Sequence, residues 1–92
     1  MITKKKAQEL INKGAIIIDV RDDTEYAEYH IPNAISIPIS TIRYKITEIV
    51  KNKQSIIILY CKSGSRSRRA AQILVQLGYT NVCDVGSINN LK

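Results

Sequence analysis

Two short runs of largely apolar residues constrain the fold more than any other feature of this sequence. They occupy residues 15–20 and 55–60, and isoleucine dominates both of them. A strand that is apolar on successive positions is typical of a parallel sheet covered on both faces. We therefore predict that both runs form buried parallel strands. Two shorter strands are predicted at residues 34–37 and 82–85.

Amphipathic segments with helical spacing separate the predicted strands. Thr3 is a candidate N-cap for a first helix, and residues 22–24 are candidate caps for a short second helix. Ser40 or Thr41 would cap the third helix, and the fourth is predicted over residues 66–77. The expected inward-facing positions are Ala7, Leu10 and Ile11 in the first helix, Ile42, Ile46, Ile49 and Val50 in the third, and Ala70, Ile73, Leu74 and Leu77 in the fourth.

The alternation of strands with helices predicts an α/β fold with three layers. Parallel neighbouring strands need crossover connections, which are right-handed, so helices should cover both faces of the sheet. We expect a central, mainly parallel sheet of four to five strands. The 92 residues suffice for one domain and are too few for two, so we predict a single domain over residues 1–92.

Composition and charge narrow the possible function classes. No run approaches the roughly 18 apolar residues that a membrane span requires, and no apolar signal segment follows the N-terminal lysines. We therefore expect no membrane association and a cytoplasmic location. The net charge of +6 favours small anions, phosphates, nucleic acid or acidic protein surfaces as partners. Because the basic residues are scattered and the chain lacks Phe and Trp, no nucleic-acid partner is expected.

The clearest chemical signal lies in residues 56–71. A predicted buried strand ends at Cys61, and a polar loop that contains glycine leads directly into a helix. Ligands of open parallel sheets collect beyond the carboxyl ends of the strands. The N–H groups of residues 62–67 and the positive end of the helix would stabilise an anion there, with support from Lys62 and Arg66. We therefore predict a lowered pKa and a thiolate at Cys61.

The two cysteines invite different interpretations. A lone cysteine at the end of an apolar strand is more often a small buried side chain than a nucleophile. The glycine loop, the arginine and the following helix favour the nucleophile for Cys61. Cys83 lies inside the last predicted strand with no glycine or base beside it, which favours burial over the role of a resolving thiol. The two cysteines form no metal-ligand pattern, and no metal site is predicted.

Three sequence blocks carry a family resemblance. They are IDVRDDTEYAEYHIPNAISIP at 18–38, YCKSGSRSRRAAQIL at 60–74 and LGYTNVCDVGSI at 77–88. In their order and spacing the blocks resemble the rhodanese-like domains, single-domain sulfurtransferases of the thiosulfate:cyanide type. The resemblance spans nearly the whole chain and implies the rhodanese-like three-layer fold.

The resemblance also implies roles for individual residues. Cys61 matches the cysteine that forms a persulfide, and Arg66 matches the basic residue that closes the loop after it. Asp19 and Arg21 match a block that supports the active loop from beneath, through an ion pair or hydrogen bonds. His30 matches a turn in which such a histidine packs and hydrogen-bonds locally. The residues that would hold the sulfane sulfur or its donor are Lys62, Ser63, Gly64, Ser65, Arg66 and Ser67.

The implied reaction is a double displacement. The Cys61 thiolate would attack the outer sulfur of thiosulfate or another sulfane donor, expel sulfite and keep the sulfur as a persulfide. An acceptor would then remove that sulfur. The implied partners are a small anionic, thiosulfate-like donor and an acceptor that is cyanide, a thiol or a protein. No metal or organic cofactor is implied, and we expect a monomer or a weak dimer.

Two other function classes remain open at this point. Phosphatases and arsenate reductases of similar architecture also place a thiolate at a strand-to-helix loop, but their loops run C-x5-R. Cys61 to Arg66 is C-x4-R, and no Asp follows closely to act as a general acid. The second class is a non-catalytic binding or regulatory module of the same fold. A sulfur relay to a dedicated partner lies between an enzyme and such a module.

Overall fold

The computed structural model describes residues 2–92, which form a helix-covered sheet. The strands and helices alternate along the chain, as the sequence predicts. The elements are α1 Lys4–Asn12, β1 Ile16–Asp19, α2 Asp23–Glu28, β2 Ile35–Ser36, α3 Ile42–Ile49, β3 Ile56–Cys61, α4 Ser65–Gln76, β4 Asn81–Ser87 and a final 3₁₀ helix, Ile88–Asn90. None of the helices in residues 2–92 is both long enough and apolar enough to cross a membrane.

The four strands form one sheet in the order β2-β1-β3-β4, and every neighbouring pair is parallel. This confirms the predicted α/β fold with a parallel sheet. The two strands predicted from uninterrupted apolar runs, β1 and β3, are the two that have neighbours on both sides. A position in the middle of the sheet, covered on both faces, explains why these strands carry so few polar residues. The β3–β4 register shifts between Leu59 and Tyr60.

Two hydrophobic cores lie on the two faces of the sheet. Leu59 and Cys61 of β3 belong to the core under α3 and α4, whereas Ile58 and Tyr60 belong to the core that contains Ala7 of α1. The alternation along β3 follows from the two-residue period of side chains in a strand. The carboxyl end of β3 therefore presents Cys61 to the side on which α4 begins.

The helix caps confirm two predictions and correct a third. The Thr3 hydroxyl accepts from the Lys6 N–H at 3.1 Å, and a carboxylate oxygen of Asp22 accepts from the Glu25 N–H at 2.9 Å. Thr41 occupies the N-cap position of α3 but makes no side-chain cap. Its hydroxyl instead donates to the Pro38 carbonyl at 3.2 Å, which ties the helix start to the preceding turn.

The predicted inward face of α3 needs one correction. Ile42, Ile46 and Val50 are buried, but the Ile49 side chain is 44% exposed. The buried row follows an i, i+4, i+8 spacing, and Ile49 lies on its flank at the last helical position. A side chain seven positions after a buried one, as Ile49 is after Ile42, therefore lies near the buried row but is not necessarily buried itself.

Candidate active site

The candidate site lies at the junction between β3 and α4. Cys61 is the last residue of β3, and the next helix begins only four positions later at Ser65. Cys61 pairs with Ser87 near the carboxyl end of β4, so the cysteine lies at the edge of the sheet where ligands of parallel α/β folds collect. The sequence placed the cysteine at this edge because the apolar run stops there.

The Cys61 sulfur is surrounded by hydrogen-bond donors from the loop and the first turn of α4. The Gly64 N–H lies 3.0 Å from Sγ, and the Ser67 N–H lies 3.3 Å from it. The Ser67 hydroxyl oxygen is 3.5 Å from Sγ. The two N–H groups belong to the converging set of amides that the loop sequence predicts, and such a set stabilises a negatively charged sulfur.

Two opposing effects act on the pKa of Cys61. Burial raises it, but hydrogen bonds from the Ser67 hydroxyl and from the N–H groups of Ser67, Gly64 and Ser63 lower it, and the net effect is a pKa below the usual value for cysteine. Hydrogen bonds to the charged form favour ionisation. The thiol is therefore biased towards the thiolate, the nucleophilic form of sulfur.

Gly64 is the residue whose backbone allows this arrangement. It has a φ of +108° and lies at the N-cap of α4. An added Cβ would lie 3.6 Å from the Cα of Gly86, which is an ordinary contact. The requirement for glycine therefore comes from the positive φ and not from crowding. The turn directs the Gly64 N–H back to the sulfur while its carbonyl accepts from the Arg68 N–H at 3.0 Å.

Burial distinguishes Cys61 from the rest of its loop. The cysteine has no exposed surface, whereas Lys62, Ser63 and Ser65 are exposed. Ser67 is completely buried and contacts the sulfur directly. A reagent can therefore reach Sγ only after the loop or the cysteine side chain moves.

Arg66 is paired with a carboxylate that the sequence did not single out. Its guanidinium forms two hydrogen bonds to Glu25 of α2, with Nη1–Oε1 at 2.7 Å and Nη2–Oε2 at 3.1 Å. Within residues 2–92, neither Lys62 nor Arg66 hydrogen-bonds to the Cys61 sulfur. The hydrogen bonds to the sulfur come from backbone N–H groups and one hydroxyl. The charge of Arg66 still acts at the sulfur, because the pKa of Arg66 is raised mainly by Glu25 and to a smaller extent by the charge of Cys61. The expected support from the two cations stays a prediction.

Asp19 and Arg21 form a buried ion pair at the end of β1. Arg21 Nη2 donates to Asp19 Oδ2 at 2.7 Å and to the Tyr29 carbonyl at 2.5 Å. The Tyr60 hydroxyl donates to the same Asp19 oxygen at 2.7 Å and accepts from the Ile31 N–H at 3.1 Å. The network links β1 with β3 and with the chain that follows α2. Because Tyr60 precedes Cys61, the network fixes the residue next to the candidate nucleophile.

Sequence reasoning missed Glu25 and Tyr60. Tyr60 ends an apolar run and resembles a core residue, and nothing local reveals that its hydroxyl meets an aspartate 41 positions away. Glu25 lies in a short polar helix, and its partner Arg66 is also 41 positions away. Charge complementarity with Arg66 does not single out Glu25, because the chain contains 8 acidic residues.

His30 and Cys83 do not join the site. His30 Nδ1 is 2.9 Å from the Tyr26 carbonyl, and its ring stacks on the Tyr26 ring with centroids 3.8 Å apart. This is the local packing that the family resemblance implies. Cys83 pairs with Ile58 in the sheet and packs with the core on the opposite face from Cys61, so it cannot act as a resolving thiol without unfolding of the sheet.

Two cavities flank the loop. One of about 320 Å³ is lined by Ser63, Gly64, Arg68 and Asp84. The other, of about 250 Å³, is lined by five charged residues and two uncharged ones. Its lining residues are Arg21, Glu25, Glu28, Lys62, Ile88, Asn89 and Lys92. Of the two arginines of α4 that follow Ser67, Arg68 adjoins the loop, whereas Arg69 lines a separate cavity.

Known proteins share both the sequence pattern and the fold. Residues 3–91 match the family model described as the rhodanese-like domain. The chain is 34% identical to the thiosulfate sulfurtransferase PspE of Escherichia coli K12, covering 80% of this chain and 71% of that protein. It is 35% identical to the thiosulfate sulfurtransferase GlpE of Haemophilus influenzae, covering 88% and 75%.

A solved structure described as a rhodanese with anions from E. coli superposes with a TM-score of 0.80 at 32% identity, over 84% of this chain and 91% of that one. The family match over residues 3–91 includes all the helices and strands described above and the loop that holds Cys61. The chain belongs to the rhodanese-like domain family.

Proposed function

We propose that this protein is a sulfurtransferase that moves a sulfane sulfur through a persulfide on Cys61. The donor is thiosulfate or another sulfane donor such as a persulfide, and the acceptor is a thiol or, in an assay, cyanide. Relatives named as thiosulfate sulfurtransferases and as a putative sulfur carrier support sulfur transfer. The observation that most strongly supports this proposal is that the Gly64 and Ser67 N–H groups converge on Cys61 Sγ.

The first half-reaction forms the persulfide. The Cys61 thiolate attacks the outer sulfur of thiosulfate and forms a new Sγ–S bond. The S–S bond of the donor breaks, and its electron pair leaves with sulfite. The N–H groups that stabilise the thiolate also lie near the position of the transferred sulfur, so they favour the charged persulfide that results.

The second half-reaction returns the enzyme to its starting state. A nucleophilic acceptor attacks the outer sulfur of the persulfide, the Sγ–S bond breaks, and Cys61 leaves as a thiolate. A leaving group with a lowered pKa departs faster, so the hydrogen bonds to Sγ assist this step as well. The same donor set thus serves the cysteine as nucleophile and as leaving group.

Access to the sulfur requires a movement of the loop. Cys61 has no exposed surface, and the exposed residues around it are on the outer side of the loop. We propose that the exposed loop residues Lys62 and Ser63 shift outward when the donor binds, while the N–H groups of Gly64 and Ser67 keep their places beside Sγ. A loop that opens in this way admits a small anion and excludes water when it is closed.

Intact-mass spectrometry tests the proposed function directly. After incubation with thiosulfate and removal of the excess, we expect one additional sulfur atom on the wild-type chain and on the Cys83→Ser variant, and none on Cys61→Ser. Cyanide or a thiol should then remove that sulfur. A wild-type chain that gains no sulfur from thiosulfate or from a persulfide donor would contradict the proposal and favour a non-catalytic module.

Three further expectations remain proposals. A single domain over residues 1–92 is supported by the family match to residues 3–91 and by two cores that share one sheet. Two free thiols suit a reducing compartment, which is the basis for the predicted cytoplasmic location. A monomer or weak dimer is expected, and sedimentation analysis over a range of concentrations measures it.

A further inference from the structure

The ion pair between Arg66 and Glu25 has a geometry that commits both side chains. The guanidinium presents two nitrogens to two carboxylate oxygens at 2.7 and 3.1 Å. Such a two-point contact is the strongest and most directional form of a carboxylate–arginine pair. The side chains are only partly exposed, 32% for Arg66 and 25% for Glu25. Arg66 is therefore held towards α2, and within residues 2–92 its guanidinium forms no hydrogen bond to the Cys61 sulfur.

The pair stays ionised over the ordinary pH range. The hydrogen bonds from Arg66 outweigh the effect of burial and lower the pKa of Glu25 to about 2. The carboxylate therefore opposes the field that Arg66 would otherwise exert at the mouth of the loop. Among the ion pairs found in residues 2–92, none includes Lys62, which is exposed to solvent, so its charge can attract an anion to the loop.

We propose that Glu25 is a specificity-determining residue that disfavours dianionic sulfur donors by keeping Arg66 paired. This inference rests on the proposed sulfur transfer through Cys61. A neutral pair beside the loop gives little advantage to thiosulfate, which carries two negative charges, over a donor that carries one. Glu25 thus tunes the donor preference towards sulfane donors of lower charge.

Coulomb's law predicts how the release of Arg66 from its pair with Glu25 should change the binding of charged donors. The interaction energy of one added positive charge is proportional to the charge of the donor, so a dianion gains about twice as much as a monoanion. The comparison of two donors therefore isolates the electrostatic effect from any change in the reactivity of the sulfur. Thiosulfate and methanethiosulfonate suit this comparison, because both offer an outer sulfur bonded to an oxidised sulfur but differ in charge.

The experiment measures kcat/KM for both donors with cyanide as acceptor. We expect Glu25→Gln to raise the ratio of thiosulfate to methanethiosulfonate by about three- to tenfold, mainly through a lower KM for thiosulfate. Glu28→Gln removes the same charge from the same flanking cavity without any contact to Arg66. Its ratio should remain within about twofold of the wild-type value.

A double-variant cycle shows whether the effect passes through Arg66. In an Arg66→Gln background, Glu25→Gln should change the donor ratio much less than it does in the wild type. Glu25→Asp keeps the charge but shortens the side chain, so it should give a smaller rise than Glu25→Gln. This second variant provides the test if Glu25→Gln does not fold, as judged by circular dichroism.

Three results would overturn the inference while leaving the proposed function intact. They are an unchanged donor ratio in Glu25→Gln, an equal rise in Glu28→Gln, or an equal effect of Glu25→Gln with and without Arg66. Loss of activity with both donors in a folded Glu25→Gln variant would also overturn it, because Glu25 would then position the loop. Absence of persulfide in the wild type contradicts the proposed function itself.

Discussion

Ser67 combines two contacts that act on the same sulfur atom. Its N–H donates to Cys61 Sγ at 3.3 Å, and its hydroxyl oxygen lies 3.5 Å from Sγ and 3.1 Å from the Gly64 carbonyl. A serine in the first turn of a helix usually satisfies backbone groups, so the sequence points to a cap. Only the position of Cys61 under the first turn of α4 brings this hydroxyl within 3.5 Å of the sulfur.

Replacement of Ser67 by alanine separates its two contacts. The backbone N–H remains, whereas the hydroxyl contribution that lowers the pKa of Cys61 is lost. We expect the pKa of Cys61 to rise and its alkylation rate near neutral pH to fall severalfold. The pH dependence of iodoacetamide alkylation, measured in a Cys83→Ser background, detects the change as a shift of the profile to higher pH.

Ser40→Ala is the matched control, because Ser40 is exposed and far along the chain from the loop. Its alkylation profile should overlay that of the parent variant. An unshifted profile in Ser67→Ala would mean that the backbone N–H groups of Gly64 and Ser67 suffice to stabilise the thiolate.

At the scale of the elements, Tyr60 joins β3 to β1 and to the turn that leads into β2. Its hydroxyl lies between Asp19 and the Ile31 N–H, and its side chain is completely buried. The Asp19–Arg21 pair receives one of its donors from this tyrosine. Buried charged pairs are stable only when their remaining hydrogen-bonding positions are filled, which makes the tyrosine hydroxyl important to the whole network.

Removal of that hydroxyl should therefore destabilise the fold. In Tyr60→Phe the Ile31 N–H loses its acceptor and Asp19 loses a donor, both in a buried environment. We expect the free energy of unfolding to fall by about 1–3 kcal/mol. Urea denaturation followed by circular dichroism measures this change.

Tyr44→Phe removes the same hydroxyl from a tyrosine that is 74% exposed, and it should change the free energy of unfolding by less than about 0.5 kcal/mol. Equal effects of the two substitutions would show that the Tyr60 hydroxyl adds nothing beyond its ring.

Elements with strong internal patterns were the ones that the sequence predicted well. β3 has six residues in an apolar run, and α4 has twelve residues with helical spacing. The predicted bounds of both elements, 55–60 and 66–77, differ from the observed ones by a single residue at either end. By contrast, the prediction for β2 covered residues 34–37, whereas the observed strand contains only two residues. β4 extends beyond its apolar stretch to Ser87 because backbone pairing with β3, and not side-chain polarity, defines a strand.

For the whole molecule, the Glu25–Arg66 pair connects α2 to α4 across the candidate site. The pKa of Glu25 is lowered to about 2 in the folded protein from an ordinary value of 4.5. A carboxylate with a lowered pKa stabilises the folded state above its unfolded pKa, and that stabilisation is lost as the pH falls through the folded value. The loss should therefore occur between about pH 5 and about pH 2.

Comparison with Glu25→Gln isolates this contribution from other acid effects. Near neutral pH the wild type should exceed the variant by about 1 kcal/mol, the upper range for a partly exposed ion pair in solvent. The difference should shrink below about pH 5 and vanish only below about pH 2, where Glu25 is protonated in the folded state as well. Urea denaturation of the two proteins at several pH values gives the difference. A difference that does not depend on pH would indicate a packing effect of the side chain.

The sequence by itself determined the layers of the fold and the place of the nucleophile. Apolar runs and helical periods are local properties, and the end of the run at Cys61 together with Gly64 marks the carboxyl edge of the sheet. Tertiary structure alone decided which groups contact each other across the site. Glu25 meets Arg66, which lies 41 positions later in the chain, because the crossovers place α2 beside α4, and no local pattern encodes that proximity.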